Sequence, residues 1–298
     1  MTGLTKRALI TGSAAGIGAR VAETLNTKGY QLILVDKDKH ANDALVASFS
    51  NAKSIVLDLT DREALRKFCT SLETQTLDIA FINAGVALPG DVADISESAI
   101  DLHLDVNLRS AILLNQACAK AMLKSGRGHI ISTVSMGGIT PLKGSAVYSA
   151  TKFAMRGFLS ALYSELKPYG ISVSGIYPSA VDTAMLKNEV RSNGSPLNFV
   201  SKVATVDDVA QSVEYALKTK RLEVYISSVD GFNSRFIGFF PSLLDRLYPL
   251  LEKIGRKGMA HYKSINKPLK SYDRREINRQ RLLHLLNFIY SGNLYALR

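Results

Sequence analysis

Tyr148 and Lys152 form the pair in this sequence whose types and spacing are best suited to proton transfer. They stand four residues apart in the segment from Ser135 to Lys152, and on a helix that spacing puts two side chains on one face. A free phenol has a pKa of about 10, and an ammonium about 4 Å away lowers it, although burial of the phenol opposes the shift. We therefore expect Lys152 to bring the pKa of Tyr148 toward the range in which a general acid/base works.

The composition is that of an ordinary globular protein with a sizeable core. The 298 residues are 46% hydrophobic and 21% charged, enough for one large or two modest domains. Cys69 and Cys118 form no metal or redox motif, which favours a reducing cytoplasm. The five histidines are scattered, so we expect no metal site. No apolar run approaches the roughly 18 residues of a membrane span.

The positive charge is concentrated in the last part of the chain. Residues 220–298 contain 15 basic and 6 acidic side chains and so carry +9 of the formal net charge of +11. The first 219 residues carry only +2, and we therefore do not expect the protein to bind nucleic acid.

A glycine-rich turn lies near the start of the chain, between a predicted strand at Arg7–Thr11 and a helical pattern. Its sequence is Thr11-Gly12-Ser13-Ala14-Ala15-Gly16-Ile17-Gly18. Glycines let backbone approach a ligand, and the free N–H groups and dipole of a helix start attract a pyrophosphate. The pattern predicts a phosphate-binding turn, with a merely flexible turn as the alternative.

An acidic residue follows at a distance typical of ribose recognition. Asp36 ends the second predicted strand, 18 residues after Gly18, where a carboxylate bonds the ribose hydroxyls and repels a 2′-phosphate. Lys37 comes next and would soften that repulsion. We therefore expect NAD as the cofactor and leave NADP open. A simple loop-starting acid is the alternative for Asp36.

Short apolar runs alternate with helical patterns along most of the chain. The further predicted strands are Gln31–Val35, Ser54–Leu57, Asp78–Ile82, Gly128–Val134, Ile171–Ile176 and Glu223–Ile226. The further predicted helices are Asp61–Glu73, Glu97–Lys124, Ala146–Lys167 and Val206–Lys218. Helices between single buried strands predict an α/β fold with one doubly wound parallel sheet, the Rossmann arrangement.

Over about Leu4 to Ser228 the chain resembles the short-chain dehydrogenase/reductase family, in its compact single-domain branch. The resemblance rests on the order and spacing of several motifs: the glycine turn, Asp58, Asn83-Ala84-Gly85, Asn107, Ser135, Gly138, Tyr148, Lys152, Pro178 and Thr183. Ser179 departs from the glycine that many members have after this proline. A small side chain still permits backbone close to a nicotinamide ring.

The resemblance implies an NAD(P)-dependent oxidoreductase acting on a carbonyl/alcohol pair, with a complete catalytic tetrad of Asn107, Ser135, Tyr148 and Lys152. Tyr148 would exchange the proton on the substrate oxygen, and Ser135 would hydrogen-bond that oxygen, so these two would contact substrate. Lys152 would lower the pKa of Tyr148 and hold the cofactor ribose, and Asn107 would position a proton-relaying water. Considered alone, Ser135 could be a serine that caps the turn at the end of a strand. Asn107 could likewise be an ordinary polar residue inside a helix.

The resemblance also implies the set of residues around the cofactor. These are Gly12, Ser13, Gly16, Ile17, Gly18, Asp36, Asp58, Leu59, Asn83, Ala84, Gly85, Tyr148, Lys152, Pro178, Val181 and Thr183.

The segment after Thr183 stands where family members place a mobile substrate lid. Its apolar residues, together with others near Ser135, favour a lipophilic 3-oxoacyl, steroid-like or retinoid-like substrate, with core packing as the alternative. The residues concerned are Met185, Leu186, Leu197, Phe199 and Val200, with Met136, Ile139 and Leu142.

We divide the chain into a catalytic Rossmann domain at 1–228 and a basic helical extension at 229–298. Apolar residues between Phe236 and Ile254 recur at helical spacing, and a later helix is predicted from about Arg274 to Tyr290, with Asp273 and Glu276 in capping positions. The extension is expected to cover the cleft or a subunit interface, or to contact a membrane peripherally.

By resemblance we expect a homodimer or homotetramer, and the cysteine usage favours a cytoplasmic protein. The rival hypotheses are a non-catalytic nucleotide-binding regulatory protein and a membrane-docking protein on the same fold.

Overall fold

The fold was established from a computed structural model. It describes residues 6–192, 194–227, 229, 231–232, 235–236 and 241–266. For residues 241–245 the helix is described but the side chains are not. The chain forms two compact units, Met1–Gly258 and Met259–Arg298. The sheet and all the site residues discussed below belong to the first.

Seven parallel strands form one sheet in the order β3-β2-β1-β4-β5-β6-β7. The strands are β1 Arg7–Thr11, β2 Gln31–Asp36, β3 Ala52–Val56, β4 Ile79–Ile82, β5 His129–Thr133, β6 Ser172–Tyr177 and β7 Glu223–Tyr225. The chain reverses its direction of travel across the sheet between β1 and β4, and such a switch point leaves a crevice at the carboxyl ends of the strands. The predicted α/β doubly wound sheet is confirmed.

Helices connect the strands. They are α1 Gly16–Thr27, α2 Lys39–Ala47, α3 Arg62–Leu72, α4 Glu97–His103, α5 Ala111–Ser125, α6 Ala146–Leu166, α7 Ala184–Arg191, α8 Val206–Thr219 and α9 Pro241–Ile265. In the described part of the chain no helix is long and apolar enough to cross a membrane.

The sheet is buried on both faces, which explains the continuous apolar runs of its strands. Successive side chains of a strand point to opposite faces, so Leu9 packs with α3, α5 and α6 on one side. Ala8 and Ile10 pack with α1 and α8 on the other. The three side chains are fully buried.

Two helical predictions were wrong in detail. The predicted continuous helix Glu97–Lys124 is divided by a π-helical segment, Leu104–Ser110, between α4 and α5. Helix α2 was missed, because it buries only Asn42 and so lacks an apolar stripe. Asp38 begins α2 by accepting a hydrogen bond from the backbone N–H of Ala41.

The first helix predicted in the extension is present as α9, and Pro249 lies inside it. The predicted helix at Arg274–Tyr290, with Asp273 and Glu276, lies outside the described residues.

Candidate active site

A cavity of about 310 Å³ opens at the carboxyl ends of the central strands. The predicted site residues in its walls are Gly12, Gly16, Ile17, Asp36, Asn83, Ala84, Gly85, Ser135, Tyr148, Lys152, Pro178, Val181 and Thr183. Wall residues that the sequence analysis did not single out for the site include Ala15, Val86, Ala87, Glu189 and Asn198. The glycine turn and the Tyr148–Lys152 pair, 130 residues apart in the chain, therefore face one space.

The glycine turn has the form of an anion cradle. Gly12 and Gly16 have φ values of +66° and +56°, which favour glycine. A Cβ atom at Gly12 would lie 2.9 Å from the Cα atom of Ala84. The residue before α1, Ala15, offers no side chain to accept hydrogen bonds from the first backbone N–H groups of the helix. The first turn of α1 also contains no acidic residue. The helix start is thus fitted for a pyrophosphate.

Gly18 and Ser13 lie behind the turn and do not line the cavity. A Cβ atom at Gly18 would lie 1.9 Å from the Gly12 carbonyl oxygen, so glycine here permits helix and turn to touch. The buried Ser13 hydroxyl donates a hydrogen bond of 2.8 Å to Asn42 on α2. Both residues shape the cradle from behind, and their direct contact with a cofactor stays a prediction.

Asp36 stands in the cavity wall at the end of β2. One carboxylate oxygen accepts a hydrogen bond of 3.0 Å from the backbone N–H of Ala14, and the other accepts one of 3.0 Å from the N–H of Asp38. The carboxylate is therefore fixed beside the glycine turn, where ribose hydroxyls would meet it.

Asp58 and Leu59 follow β3 and do not line the cavity. Asp58 is exposed, and its carboxylate accepts hydrogen bonds from the backbone N–H and the hydroxyl of Thr60, which lower its pKa. Leu59 is 8% exposed and packs in the core. Their contact with an adenine stays a prediction.

Asn83 ties together the ends of three strands. Its amide donates a 3.2 Å hydrogen bond to the Thr11 carbonyl of β1, and its side-chain oxygen accepts one of 3.0 Å from the Thr133 hydroxyl of β5. The Thr11 hydroxyl accepts from the backbone N–H groups of Asn83 and Ala84. The floor of the cavity is thereby held rigid.

Asn107 lies in the π-helical segment and is 2% exposed, outside the cavity wall. Its side-chain oxygen accepts a 2.7 Å hydrogen bond from the Val86 N–H, and its amide donates a 2.8 Å bond to the Val86 carbonyl. The amide also lies 3.4 Å from the Thr151 hydroxyl of α6. Asn107 thus joins the loop after β4, at Val86 in the cavity wall, to the helix that carries Tyr148 and Lys152.

Ser135, Tyr148 and Lys152 converge on one wall. The Lys152 ammonium lies 5.6 Å from the centre of the Tyr148 ring and donates a 3.1 Å hydrogen bond to the Thr133 carbonyl. The Ser135 oxygen accepts a 3.0 Å bond from the Gly137 N–H, which leaves the Ser135 hydroxyl hydrogen available as a donor.

Burial governs the pKa values of this pair. It raises the pKa of Tyr148 to about 12, against a smaller lowering by the Ser135 hydroxyl, and a nearby carboxylate on α7, Glu189, raises it further. It lowers the pKa of Lys152 to about 8. The expected net lowering of the Tyr148 pKa was therefore wrong for the protein alone, because removal of the phenol from water outweighs the interactions that lower its pKa.

His103, on α4, was missed as a neighbour of Tyr148. The two rings meet edge to face with centres 6.3 Å apart. One ring nitrogen bonds the Ala99 carbonyl at 2.7 Å, and the other accepts a 3.2 Å bond from the Leu88 N–H. Burial lowers the pKa of His103, so the ring is a neutral support for Tyr148. A single histidine in a helix carries no sequence signal of this role.

The predicted lid contains a helix, α7, whose start is capped by the Thr183 hydroxyl through the Leu186 N–H. Met185 and Leu186 line the cavity. Phe199 is buried, and neither it nor Leu197 and Val200 contribute to the wall. Glu189 is the acidic wall residue on this helix and was missed, because a carboxylate in a polar helical stretch is usually solvated.

Comparison with known proteins identifies relatives of the whole catalytic region. The family model described as short chain dehydrogenase matches residues 6–194. An uncharacterized oxidoreductase of Staphylococcus aureus (strain N315) is 33% identical over 223 residues, which make up 73% of this chain and 93% of the relative.

Solved structures share the fold. A bulky-bulky ketone specific alcohol dehydrogenase from Comamonas testosteroni is 26% identical, with a TM-score of 0.69 over 80% of this chain and 94% of its own. A short-chain dehydrogenase from Sphingobium yanoikuyae, solved in complex with NADPH, is 25% identical, with a TM-score of 0.69 over 90% and 99% of the two chains.

Proposed function

The chain belongs to the short-chain dehydrogenase/reductase family and is an NAD(P)-dependent oxidoreductase, and we propose that it transfers a hydride between the nicotinamide and a carbonyl or secondary alcohol carbon. The observation that carries the proposal is that Tyr148, Ser135 and Lys152 share one cavity with the glycine turn. A non-catalytic nucleotide-binding protein has no need to keep these three side chains together.

We assign the cofactor to the cradle and the wall beside it. The turn at Gly12 and Gly16, with the start of α1, would hold the pyrophosphate, and Asp36 would bond the ribose hydroxyls. NAD is the proposed cofactor because the fixed carboxylate of Asp36 repels a 2′-phosphate, whereas Lys37 leaves NADP open. The bound nicotinamide would supply or accept the hydride.

The side chains of the tetrad supply proton transfer and positioning. In the direction of reduction, the Tyr148 hydroxyl would give its proton to the carbonyl oxygen as the carbonyl carbon receives a hydride from the bound nicotinamide. The Ser135 hydroxyl donates a hydrogen bond to the same oxygen and stabilises the charge developing there. The Lys152 ammonium stabilises the phenolate left behind, and Asn107 holds the backbone at Val86 and the helix carrying Tyr148 in register.

A lipophilic carbonyl compound is the proposed substrate class. Met185 and Leu186 supply apolar wall beside Tyr148, and the Comamonas testosteroni relative is specific for bulky ketones. 3-Oxoacyl, steroid-like and retinoid-like carbonyls all fit this description.

The extension is proposed to cover the cleft. The backbone N–H of Lys143, in the loop before α6, donates a 2.9 Å hydrogen bond to the Tyr248 hydroxyl of α9. Gly255 of α9 touches the backbone of Pro196 in the lid. Both contacts support a covering role for the extension 229–298, and we assign catalysis to 1–228.

Peripheral membrane contact is the second proposed role of the extension. Val229 and Phe232 are 67% and 71% exposed and stand in the basic part of the chain. Co-sedimentation with anionic phosphatidylserine vesicles at low salt tests it, and no binding there would remove the membrane role.

We propose a cytoplasmic homodimer or homotetramer. Leu104, Leu123 and Phe153, on the π-helical segment, α5 and α6, are each at least 40% exposed, which supports a subunit interface along these helices. The buried free thiols of Cys69 and Cys118 support a reducing compartment. Light scattering after size-exclusion chromatography measures the subunit number.

The experiment that tests the function follows the absorbance of reduced nicotinamide with NADH or NADPH and a panel of lipophilic ketones. Turnover of at least one ketone is expected. Binding of the nucleotide with no turnover across the panel would favour the non-catalytic alternative.

A further inference from the structure

An acidic side chain, Glu189, stands in the otherwise mostly apolar part of the cavity beside Tyr148. It lies on α7 four residues after Met185, so the two side chains share one face of the helix, and both line the cavity. The Glu189 carboxylate is close enough to raise the pKa of the Tyr148 phenol electrostatically. The carboxylate therefore faces the space that a substrate would occupy next to the proton donor.

The Glu189 carboxylate makes no hydrogen bond or ion pair with any residue in the described part of the chain. Two basic residues lie two positions from it in sequence: Lys187 pairs at 3.3 Å with Asp182, and Arg191 is exposed. Lys152, the cation in the cavity wall, donates to the Thr133 carbonyl. Among the residues that the structure describes, none supplies a counter-charge to this carboxylate.

An unpaired carboxylate in a sheltered site is costly, because water that would solvate it is partly removed. Burial raises the pKa of Glu189 to about 7. A ligand that brings a positive charge and a hydrogen-bond donor to Glu189 removes that cost, whereas an anionic ligand increases it.

We propose that Glu189 binds a protonated amine on the substrate, so that the preferred substrates are lipophilic amino ketones or amino alcohols. The inference rests on the proposed function and narrows its substrate class. Apolar contact with Met185 and Leu186 would hold the body of such a molecule while Glu189 holds its ammonium. Glu189 would act as a specificity-determining residue, distinct from the proton-transfer group Tyr148.

Matched cyclohexanones test the proposal, with substituents at the 4-position that differ in charge. 4-Aminocyclohexanone is cationic, 4-methylcyclohexanone is neutral, and 4-oxocyclohexanecarboxylate is anionic. The wild type should reduce the amino ketone with kcat/KM about tenfold or more above that of the methyl ketone, the scale of one hydrogen bond to a charged group. Of the three ketones, the wild type should reduce 4-oxocyclohexanecarboxylate most slowly.

Glu189→Gln keeps the shape of the side chain and removes its charge. It should therefore bring the ratio of the kcat/KM values for the amino and methyl ketones close to one, and this ratio cancels any effect of the charge on Tyr148 that both substrates share. Glu165→Gln, an exposed carboxylate on α6, is the matched control and should keep the wild-type ratios. Equal kcat/KM values for the amino and methyl ketones in the wild type, or a ratio unchanged in Glu189→Gln, would overturn the inference.

The same measurements separate this inference from the function on which it rests. Turnover of 4-methylcyclohexanone without an amine preference sinks the inference alone. No turnover of any ketone sinks both. A Glu189→Gln effect confined to the KM of the nucleotide would assign Glu189 to cofactor binding and reject the amine site.

Discussion

The ammonium of Lys152 lies 5.6 Å from the centre of the Tyr148 ring and hydrogen-bonds the Thr133 carbonyl. Lys152 therefore acts on the phenol through space. Burial brings the pKa values of the two groups to about 12 for Tyr148 and about 8 for Lys152. The protonation states of the two groups are therefore coupled. When the phenol gives up its proton, the negative charge that develops favours the protonated form of Lys152.

Tyr148→Phe should reduce turnover by at least about 10²-fold, because it removes the group that exchanges the proton with the substrate oxygen. The ring that packs against His103 is retained, so the affinity for nucleotide should change little. Steady-state rates together with fluorescence titration of the reduced nucleotide measure the two effects. Tyr169→Phe removes a hydroxyl from a 62% exposed ring and is the control. A Tyr148→Phe enzyme with a near-wild-type rate would remove Tyr148 from the mechanism.

The pH dependence of kcat/KM for reduction should follow the protonation state of the Lys152 side chain. Below about pH 8 the free enzyme carries the ammonium, and above it the amine is neutral and no longer stabilises the developing phenolate. kcat/KM should therefore fall as the pH rises through about 8. Lys152→Met should be slower by about 10²-fold at pH 7 and should lack this descending limb. A wild-type profile that stays flat to pH 10 would contradict the assignment.

Local sequence patterns were sufficient to predict the elements that hold the cofactor cradle. The strand Arg7–Thr11 has the predicted bounds, because a strand buried on both faces is an uninterrupted apolar run and Gly12 ends it with a positive φ. The order of strands and helices along the chain was likewise sufficient for the parallel sheet, since single strands between helices require crossovers.

Features set by tertiary packing were not predictable from local pattern. The π-helical segment around Asn107 adds no signal to the apolar periodicity, and it was predicted as plain helix. Burial, which only the folded chain determines, reversed the expected shift of the Tyr148 pKa. Glu189 was missed for the same reason, because nothing in the sequence distinguishes a carboxylate that faces a cavity from one that faces water.

Asp36→Asn should weaken the preference for NAD over NADP by about 10–10²-fold, the scale of a hydrogen bond to a charged group. The amide oxygen can still accept from the Ala14 N–H, which holds the glycine turn, whereas the bond from the Asp38 N–H and the charge that repels a 2′-phosphate are lost. Ratios of kcat/KM for the two nucleotides measure the change. Asp38→Asn alters the cap of α2 without facing the cavity and should leave the ratio unchanged. A wild type that prefers NADPH would refute the role given to Asp36.

Gly255→Ala should destabilise the protein by about 1–3 kcal/mol, the scale of overpacking. A Cβ atom there would lie 2.1 Å from the Pro196 carbonyl oxygen. Because that oxygen belongs to the backbone, it cannot move away as the end of a flexible side chain could. Gly157→Ala, on α6 with no atom within 4 Å of the new Cβ, should instead stabilise by about 0.5–1 kcal/mol. Urea denaturation measures both. Equal stability of the two variants would show that α9 does not rest on the lid at Gly255.

The free energy of unfolding should fall in mild acid because His129 binds a proton more weakly in the folded protein than in the unfolded chain. The Ser174 hydroxyl gives its hydrogen to the Arg221 carbonyl at 2.6 Å, so the His129 Nε2–H donates to the Ser174 oxygen at 2.8 Å. Burial lowers the pKa of His129 to about 4, against about 6.5 in an unfolded chain. Between these values the unfolded state binds a proton that the folded state does not, so the free energy of unfolding falls as the pH drops, by up to about 3 kcal/mol at pH 4.

His129→Gln keeps a donor for Ser174 and removes the titration. Urea denaturation from pH 7 to pH 4.5 should show a smaller loss of stability in this variant than in the wild type. His40→Gln, an exposed histidine on α2, should retain the wild-type loss. Parallel curves for the wild type and His129→Gln would mean that His129 titrates in the fold as it does in the unfolded chain, because only a pKa difference between the two states produces the slope.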